Sequence, residues 1–198
     1  MQYVLATHNQ HKVAEFGQIL SATLPGVSVT GYDGPEPVES GVSFAENALI
    51  KARVAAQHTG LPSLADDSGL CVDVLAGMPG IFSSRWSGEG ATDERNVALV
   101  LAQLEDVPDD FRGAEFRCVI AVVDPGADDR SAREFTVEGV WRGRIARQPM
   151  GSNGFGYDPV FMPSGVEVSA AQLDPEVKNR ASHRARAIQA LAQVLASG

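Results

Sequence analysis

Residues Ser63 to Leu75 read SLADDSGLCVDVL, and this stretch places two adjacent carboxylates, Asp66 and Asp67, between apolar segments. The pattern predicts a short strand at Leu64-Ala65, a Ser-Gly kink, and a second strand from Leu70 to Leu75. Neighbouring side chains on a strand point to opposite faces of the sheet. We therefore expect one carboxylate to face solvent or a cleft and the other to face inward, unless the kink redirects them.

The two carboxylates of this stretch need compensation, because adjacent like charges are costly without a cation or a hydrogen-bond donor. A divalent metal is a common solution, and Mg²⁺ is typically held by one or two carboxylates together with substrate phosphates. The simpler alternative is a polar turn between two strands, since Asp-Asp-Ser-Gly is ordinary turn chemistry. This stretch alone does not decide between a metal site and a turn.

Length and composition indicate a globular protein that needs no second domain, since 198 residues with 44% hydrophobic and 21% charged side chains can build one sizeable core. The net charge of -9 argues against a general binder of DNA or RNA, but it allows a small anionic substrate where cations gather locally. No membrane-length apolar run and no signal peptide is apparent. Cys71 and Cys118 are predicted to be buried free thiols, which favours the cytoplasm.

Strand and helix patterns alternate along the chain and predict an α/β fold with a mixed sheet. Apolar residues from Val13 to Leu20 recur at the spacing of one helix face. Ser43 and Glu46 match a capping box in front of a second helix. The other predicted elements are strands at Tyr3–Ala6, Val27–Tyr32, Glu115–Val123, Arg133–Ile145 and Asp158–Met162, helices after Thr92 and after Ser182, a loop at Ala76–Ala91, and a polar stretch around Asp174, Glu176 and Lys178.

Two predicted helices begin with cations, although the partly positive start of a helix favours acidic side chains. Lys12 lies in the first turn of the first helix; His183 and Arg184 follow the Ser182 cap of the last one, with Lys178 shortly before it. A bound anion reverses the unfavourable sign, because backbone N–H groups, helix dipole and side chain then all attract it. Solvated surface cations are the alternative, but two such helix starts in an acidic chain favour phosphate binding.

The loop Gly151–Asp158, GSNGFGYD, carries glycines on both sides of Phe155. Such a loop allows a flat group to approach an aromatic face, and the stacking of a base on an aromatic ring is worth about 1–3 kcal/mol. A strained turn around a core phenylalanine is the alternative. Asp158 adds a polar group for a base edge or a sugar. Together with the cations and carboxylates, the loop predicts a nucleotide site with a metal; the four histidines show no zinc-ligand spacing.

Several motifs, in order and covering almost the whole chain, resemble the inosine triphosphate pyrophosphatase family, the RdgB-like enzymes that hydrolyse non-standard purine nucleoside triphosphates. The motifs are LATHNQHK, VESGVSFAENALIKA, ADDSGL, GIFSSRWSG, ATDERN, GSNGFGYDPVF and KNRASHR. The resemblance implies one domain over residues 1–198, an elongated mixed β-sheet with flanking helices, two lobes, and an active site in the cleft between them. It also implies a homodimer.

The resemblance also implies a role for each matching residue. Glu39 and Asp67 would hold Mg²⁺. Asp67 would also help to deprotonate the attacking water, and Asp66 would support it. Lys51 would approach the phosphates, and Ser68 would touch the substrate. The implied phosphate loop consists of Thr7, His8, Asn9, Gln10, His11 and Lys12, with Asn9 and Lys12 nearest the triphosphate. The implied base-binding residues are Phe155, Gly156, Tyr157, Asp158, Lys178, His183 and Arg184.

The reaction implied for the family converts ITP, dITP or XTP and water to the nucleoside monophosphate and pyrophosphate. Fixed donors would favour a 6-oxo acceptor, since the 6-amino group of adenine would place a donor against a donor. Two alternatives stay open: a Maf-like pyrophosphatase with another base preference, and a nucleotide sensor without turnover. Neither a nucleic-acid polymer nor a membrane is an expected partner.

Overall fold

A computed structural model describes residues 2–8, 10–126 and 132–197, with only the backbone described at residues 10, 11, 15 and 197. Its six strands form one open sheet in the order β2-β1-β3-β4-β5-β6. The strands are β1 Gln2–Leu5, β2 Ser28–Gly31, β3 Ser63–Val72, β4 Gly113–Asp124, β5 Arg133–Ile145 and β6 Phe161–Pro163. The helices are α1 Gln10–Thr23, α2 Phe44–Thr59, α3 Asp93–Gln103, α4 Pro175–Ala181 and α5 His183–Ser197.

The sheet is mixed, as predicted. β1 pairs in parallel with both β2 and β3, whereas β5 and β6 pair antiparallel. The parallel pairs require crossover connections, and helices supply them, because α1 lies between β1 and β2 and α2 lies between β2 and β3 along the chain. The prediction of an α/β fold with flanking helices is therefore confirmed. Among the described residues, no helix has the length and apolarity that a bilayer crossing requires.

The central stretch differs from its prediction. β3 runs without a break through Asp66, Asp67, Ser68 and Gly69, so neither a corner nor a turn separates two strands there. A 3-10 helix over Asp73–Leu75 replaces the end of the predicted second strand. The apolar residues on both sides of the polar group are strand formers that pack into cores, and this packing keeps the polar group extended despite its turn chemistry.

The described residues divide into two compact units. The first unit takes those up to Asp67, those from Cys118 to Gly139 and those from Arg184 onward. The second unit takes Ser68–Arg117 and Val140–His183. Two lobes around a cleft within one domain stay a prediction.

The first unit has two apolar cores, one for each face of its strands. Phe16 of α1 and Ile188 of α5 pack in one core with Leu64 of β3, whereas Ala52 of α2 packs in the other with Ala65 of β3. Successive residues of β3 thus enter different cores, as a strand requires. By the same alternation Asp66 continues the row of Leu64, and Asp67 continues the row of Ala65.

The helix signals have mixed outcomes. The Ser43 cap is confirmed, because its Oγ accepts a hydrogen bond from the N–H of Glu46 at 3.2 Å. The Glu46 carboxylate in turn accepts from the N–H of Val42 at 2.7 Å. The polar stretch before the last helix, for which no element was predicted, forms α4 with Asp174 as its cap. The Asp174 carboxylate accepts from the N–H of Glu176, and proline occupies the first turn, where it costs no hydrogen bond.

Two further segments differ from the sequence-based expectation, whereas the two cysteines agree with it. The predicted loop at Ala76–Ala91 contains a 3-10 helix over Gly80–Arg85. The predicted strand at Asp158–Met162 begins only at Phe161, because Asp158 and its neighbours form turns. Cys71 and Cys118 are buried free thiols, as predicted.

Candidate active site

Asp66 is a nearly fully buried carboxylate that contacts two cations of the first unit. Lys12, in the first turn of α1, places its Nζ 3.2 and 3.1 Å from the two oxygens of Asp66. Arg184, in the first turn of α5, brings its Nε within 3.9 Å of Asp66 Oδ2. The first turns of two helices, both predicted to bind phosphate, therefore meet at one carboxylate.

Asp67 contacts a different set of side chains. Lys51 of α2 places its Nζ 3.1 Å from Asp67 Oδ1 and 2.8 Å from Glu39 Oε1. Asn47, one turn earlier on the same helix, donates its amide to Asp67 Oδ2 at 3.3 Å. The Asn47 oxygen accepts from the N–H of Gly41, where a Cβ would lie only 2.7 Å from that oxygen. Helix α2 thus holds Asp67 by two residues of one face, at i and i+4.

The surroundings of Asp67 suit a proton acceptor. Burial raises the pKa of its carboxyl, and the charges of Glu39 and Asp66 add to this rise, while Lys51 only partly offsets it. For Lys51, burial lowers the pKa, but the attraction of the three carboxylates outweighs burial and the net shift is upward. The ammonium of Lys51 therefore stays charged, and Asp67 is a stronger base than an exposed aspartate.

The two carboxylates predicted to bind metal, Glu39 and Asp67, are placed close enough together to hold one ion. Glu39 and Asp67 approach the same atom, Lys51 Nζ, so their oxygens converge on one point suited to a cation. Across the described ranges, no group of three or more His, Cys, Asp or Glu side chains is arranged for a metal. Two carboxylates nonetheless fit Mg²⁺, because this ion commonly completes its six oxygens with water and substrate phosphates.

The predicted phosphate loop is described in part. Thr7 lies between β1 and α1, where its N–H donates to the carbonyl of Leu5 at 2.8 Å. His8 stacks on Tyr32 with ring centroids 5.8 Å apart, and its Nε2 lies 3.1 Å from the carbonyl oxygen of Gly34. Asn9 lies outside the described residues. Gln10 and His11 form the start of α1.

The predicted base-binding loop belongs to the second unit. Phe155 is 42% exposed, so the alternative of a core phenylalanine is wrong. Asp158 is buried and accepts from the N–H of Phe155 at 2.9 Å and from Lys178 Nζ at 2.5 Å. Lys178 Nζ also lies 5.5 Å from the centroid of the Phe155 ring, a cation–π contact. Tyr157 is buried and donates its hydroxyl to the carbonyl of Ser83 at 2.7 Å.

Three further predicted site residues, His183, Ser68 and Gly156, belong to the second unit. His183, in the second unit, stacks on Phe116 with ring centroids 4.8 Å apart and nearly parallel planes. Ser68 is half-buried on β3, directly after Asp67. Gly156 adopts a positive φ of 59°, and its N–H donates to Asp93 Oδ2 at 2.6 Å.

Comparison with known proteins decides the family. The model of the Ham1 family matches residues 3–194. The chain belongs to the Ham1 family. It is 53% identical over 195 residues to a dITP/XTP pyrophosphatase of Leifsonia xyli, which covers 98% of this chain and 96% of that protein. It is 49% identical to a dITP/XTP pyrophosphatase of Pseudomonas aeruginosa, over 98% and 96% of the two chains.

Solved structures of Ham1 proteins agree with the fold described above. A HAM1 protein from Coxiella burnetii is 43% identical, with a TM-score of 0.88 and full coverage of both chains. A dITP/XTP pyrophosphatase from Mycobacterium abscessus is 48% identical, with a TM-score of 0.77 over 96% of this chain and 98% of that one. The family predicted from the sequence motifs is therefore confirmed.

Sequence analysis did not single out two residues that contact the predicted site residues. Asn47 donates its amide to Asp67, and Asp93 accepts from the N–H of Gly156 beside Phe155. Asn47 had a readable signal, because it lies four residues before Lys51 and so shares its helix face. Asp93 had none beyond its place in the ATDERN motif, since its contact is with a residue 63 positions away.

Proposed function

We propose that the protein hydrolyses non-standard purine nucleoside triphosphates such as ITP, dITP and XTP, releasing the nucleoside monophosphate and pyrophosphate. The observation that carries the proposal is the convergence of Glu39, Asp67 and Lys51 on one point of the first unit. At this point Asp67 can act as a base, the oxygens of Glu39 and Asp67 can bind a cation, and the ammonium of Lys51 can bind phosphate. The dITP/XTP pyrophosphatase activity named for the relatives supports it.

Asp67 acts as the general base in this proposal. It takes a proton from a water molecule, whose oxygen attacks the α-phosphorus, and the bond between the α- and β-phosphates breaks. Pyrophosphate leaves with the bonding electron pair. Asn47 keeps the carboxylate oriented, and the burial of Asp67 keeps it basic enough to accept the proton.

Lys12 and Lys51 would bind phosphate oxygens. Each already contacts a buried carboxylate, so each is fixed in place before substrate arrives. Glu39 and Asp67 would hold Mg²⁺, which supplies positive charge to the triphosphate when bound. In the second unit, Phe155 would stack on the base. The proposed donors to the 6-oxo group are Lys178, His183 and Arg184.

A product assay tests the function. Purified protein is incubated with ITP, dITP, XTP, GTP, ATP or dTTP and Mg²⁺, and pyrophosphate and monophosphate are measured for each. We expect ITP, dITP and XTP to be turned over fastest, with equal amounts of both products, and EDTA to stop the reaction. Preference for dTTP would favour the Maf-like alternative, absence of turnover with retained binding would favour a sensor, and release of single phosphate would refute the assigned bond cleavage.

Phe155→Ala tests the base site. Loss of stacking is expected to weaken nucleotide binding by about 1–3 kcal/mol, measured as a rise in KM for ITP and XTP alike. Phe111→Ala is the matched control, because Phe111 is also an exposed phenylalanine of the second unit, and its KM should not change. An unchanged KM in the Phe155 variant would remove the ring from the binding site.

A homodimer in the cytoplasm is also proposed. The buried free thiols of Cys71 and Cys118 fit a reducing compartment. Light scattering after size-exclusion chromatography measures the dimer directly, and a mass of 20.9 kDa would show a monomer instead.

A further inference from the structure

The loop that carries Phe155 has little intrinsic rigidity. Gly154 and Gly156 flank the ring, and both have positive φ, at 77° and 59°. A chain with glycine on both sides of an exposed aromatic ring has many accessible conformations. Contacts from outside the glycines must therefore select the observed one.

Two carboxylates make those contacts, one on each side of the ring. Asp158 accepts from the N–H of Phe155 itself and is in turn held by Lys178. Asp93, the first residue of α3, accepts from the N–H of Gly156 at 2.6 Å. The first contact closes the loop on itself within three residues, whereas the second ties it to a separate helix.

We propose that Asp93 is a positioning residue for the Phe155 ring, holding the loop of the second unit in the conformation that receives the purine. The inference rests on the proposed function, in which Phe155 stacks on the base. Asp93 itself touches neither substrate nor reacting atoms in this scheme. Its role is to keep the loop in one conformation. If only a fraction of the molecules has the binding-competent loop, the apparent dissociation constant rises in inverse proportion to that fraction.

The contact of Asp93 is not explained by helix capping. Thr92 is the cap of α3, and its Oγ1 accepts from the N–H of Arg95 at 3.3 Å. Glu94, in the same first turn, is exposed and adds its own negative charge to the helix start. Burial raises the pKa of the neighbouring Tyr157 phenol, and the charge of Asp93 adds to that rise, which agrees with a carboxylate held against the loop.

The first test measures the loop without any nucleotide. Hydrogen exchange followed by mass spectrometry reports the backbone N–H groups of residues 154–157 in the full-length protein. Asp93→Ala should accelerate their exchange about tenfold, because a charge-assisted hydrogen bond to the loop is lost. Glu94→Ala is the matched control, since it removes a charge from the same helix turn without touching the loop, and exchange should stay as in the wild type.

The second test measures kinetics with ITP. Asp93→Ala should raise KM about tenfold with kcat nearly unchanged, since the bound loop is the same once formed. Asp93→Asn should recover most of the loss, because the amide oxygen still accepts from Gly156. A purely structural role in α3 would instead lower the melting temperature in the Asp93 and Glu94 variants alike.

The outcomes separate the two proposals. Unchanged exchange in Asp93→Ala would overturn the positioning role, whatever the kinetics show. If Asp93→Ala speeds exchange but leaves KM unchanged, the positioning role is overturned as well. If Phe155→Ala also leaves KM unchanged, the base site of the proposed function is overturned with it. Faster exchange with a higher KM, and recovery in Asp93→Asn, supports the positioning role.

Discussion

Replacing Asp67 by asparagine is expected to lower kcat for ITP by about 10²- to 10⁴-fold, the usual contribution of a general base. The substitution keeps the size of the side chain, and an amide oxygen can still contact Lys51 and Asn47. The fold should therefore persist, which circular dichroism and thermal unfolding will check. The loss should appear in single-turnover experiments at saturating Mg²⁺, where chemistry rather than metal binding limits the rate.

Two variants separate the roles assigned to Asp67. Glu39→Gln removes the other proposed metal ligand. It should raise the Mg²⁺ concentration needed for half-maximal rate, and it should reduce kcat less than Asp67→Asn does. Asp73→Asn changes an exposed carboxylate just beyond the end of β3 and should leave kcat unaltered. If Asp67→Asn keeps a kcat near that of the wild type, Asp67 is not the base.

Lys178→Met is expected to lower the free energy of unfolding by about 3–5 kcal/mol, the cost of leaving one partner of a buried ion pair uncompensated. The side chains of Lys178 and Asp158 are only 9% and 4% exposed, and their charged atoms lie 2.5 Å apart. Methionine keeps the apolar stem of the lysine, so the loss reports the charge. Thermal unfolding should show a fall of roughly 6–20 °C in Tm for a chain of this size.

The same helix offers a matched control. Arg180 and Glu176 of α4 form an exposed pair, with side chains 79% and 82% exposed. Arg180→Ala should therefore change the unfolding free energy by about 0.5 kcal/mol or less. Adding Asp158→Asn to Lys178→Met should cost less than the sum of the two single changes, because the orphaned charge is gone. Additive effects would show that the two groups are not coupled.

The part of the site that follows from local pattern was predictable from the sequence. Strand alternation separates Asp66 from Asp67, and the structure gives them different lysines from different helices. The predicted Ser43 cap marks the start of α2, and with it the face that carries Lys51. Alternating strand and helix patterns predict the mixed α/β sheet, and the flanking helices are what the resemblance of seven ordered motifs to a known family implies.

Other features depend on contacts that no local pattern contains. The continuity of β3 was missed because packing on both sides of DDSG overrides its turn propensity. The pairing of Lys178 with Asp158 joins residues 20 positions apart. The local patterns assign Lys178 to an anion and Asp158 to a base edge or a sugar, and the family resemblance assigns both to the base, so nothing in the sequence pairs them with each other. Both carboxylates of β3 are buried, so the expectation that one faces solvent is wrong, because lysines from α1 and α2 compensate their charges. That one faces a cleft stays a prediction.

The division of the chain has a consequence for its synthesis. The backbone passes from one unit to the other after Asp67, Arg117, Gly139 and His183, so neither unit is a continuous segment. The core that holds Phe16 also contains Ile188 and Leu191 of the last helix. A nascent chain on the ribosome therefore cannot close this core until its final helix has emerged. Truncation before α5 should yield an aggregation-prone fragment rather than a smaller working enzyme.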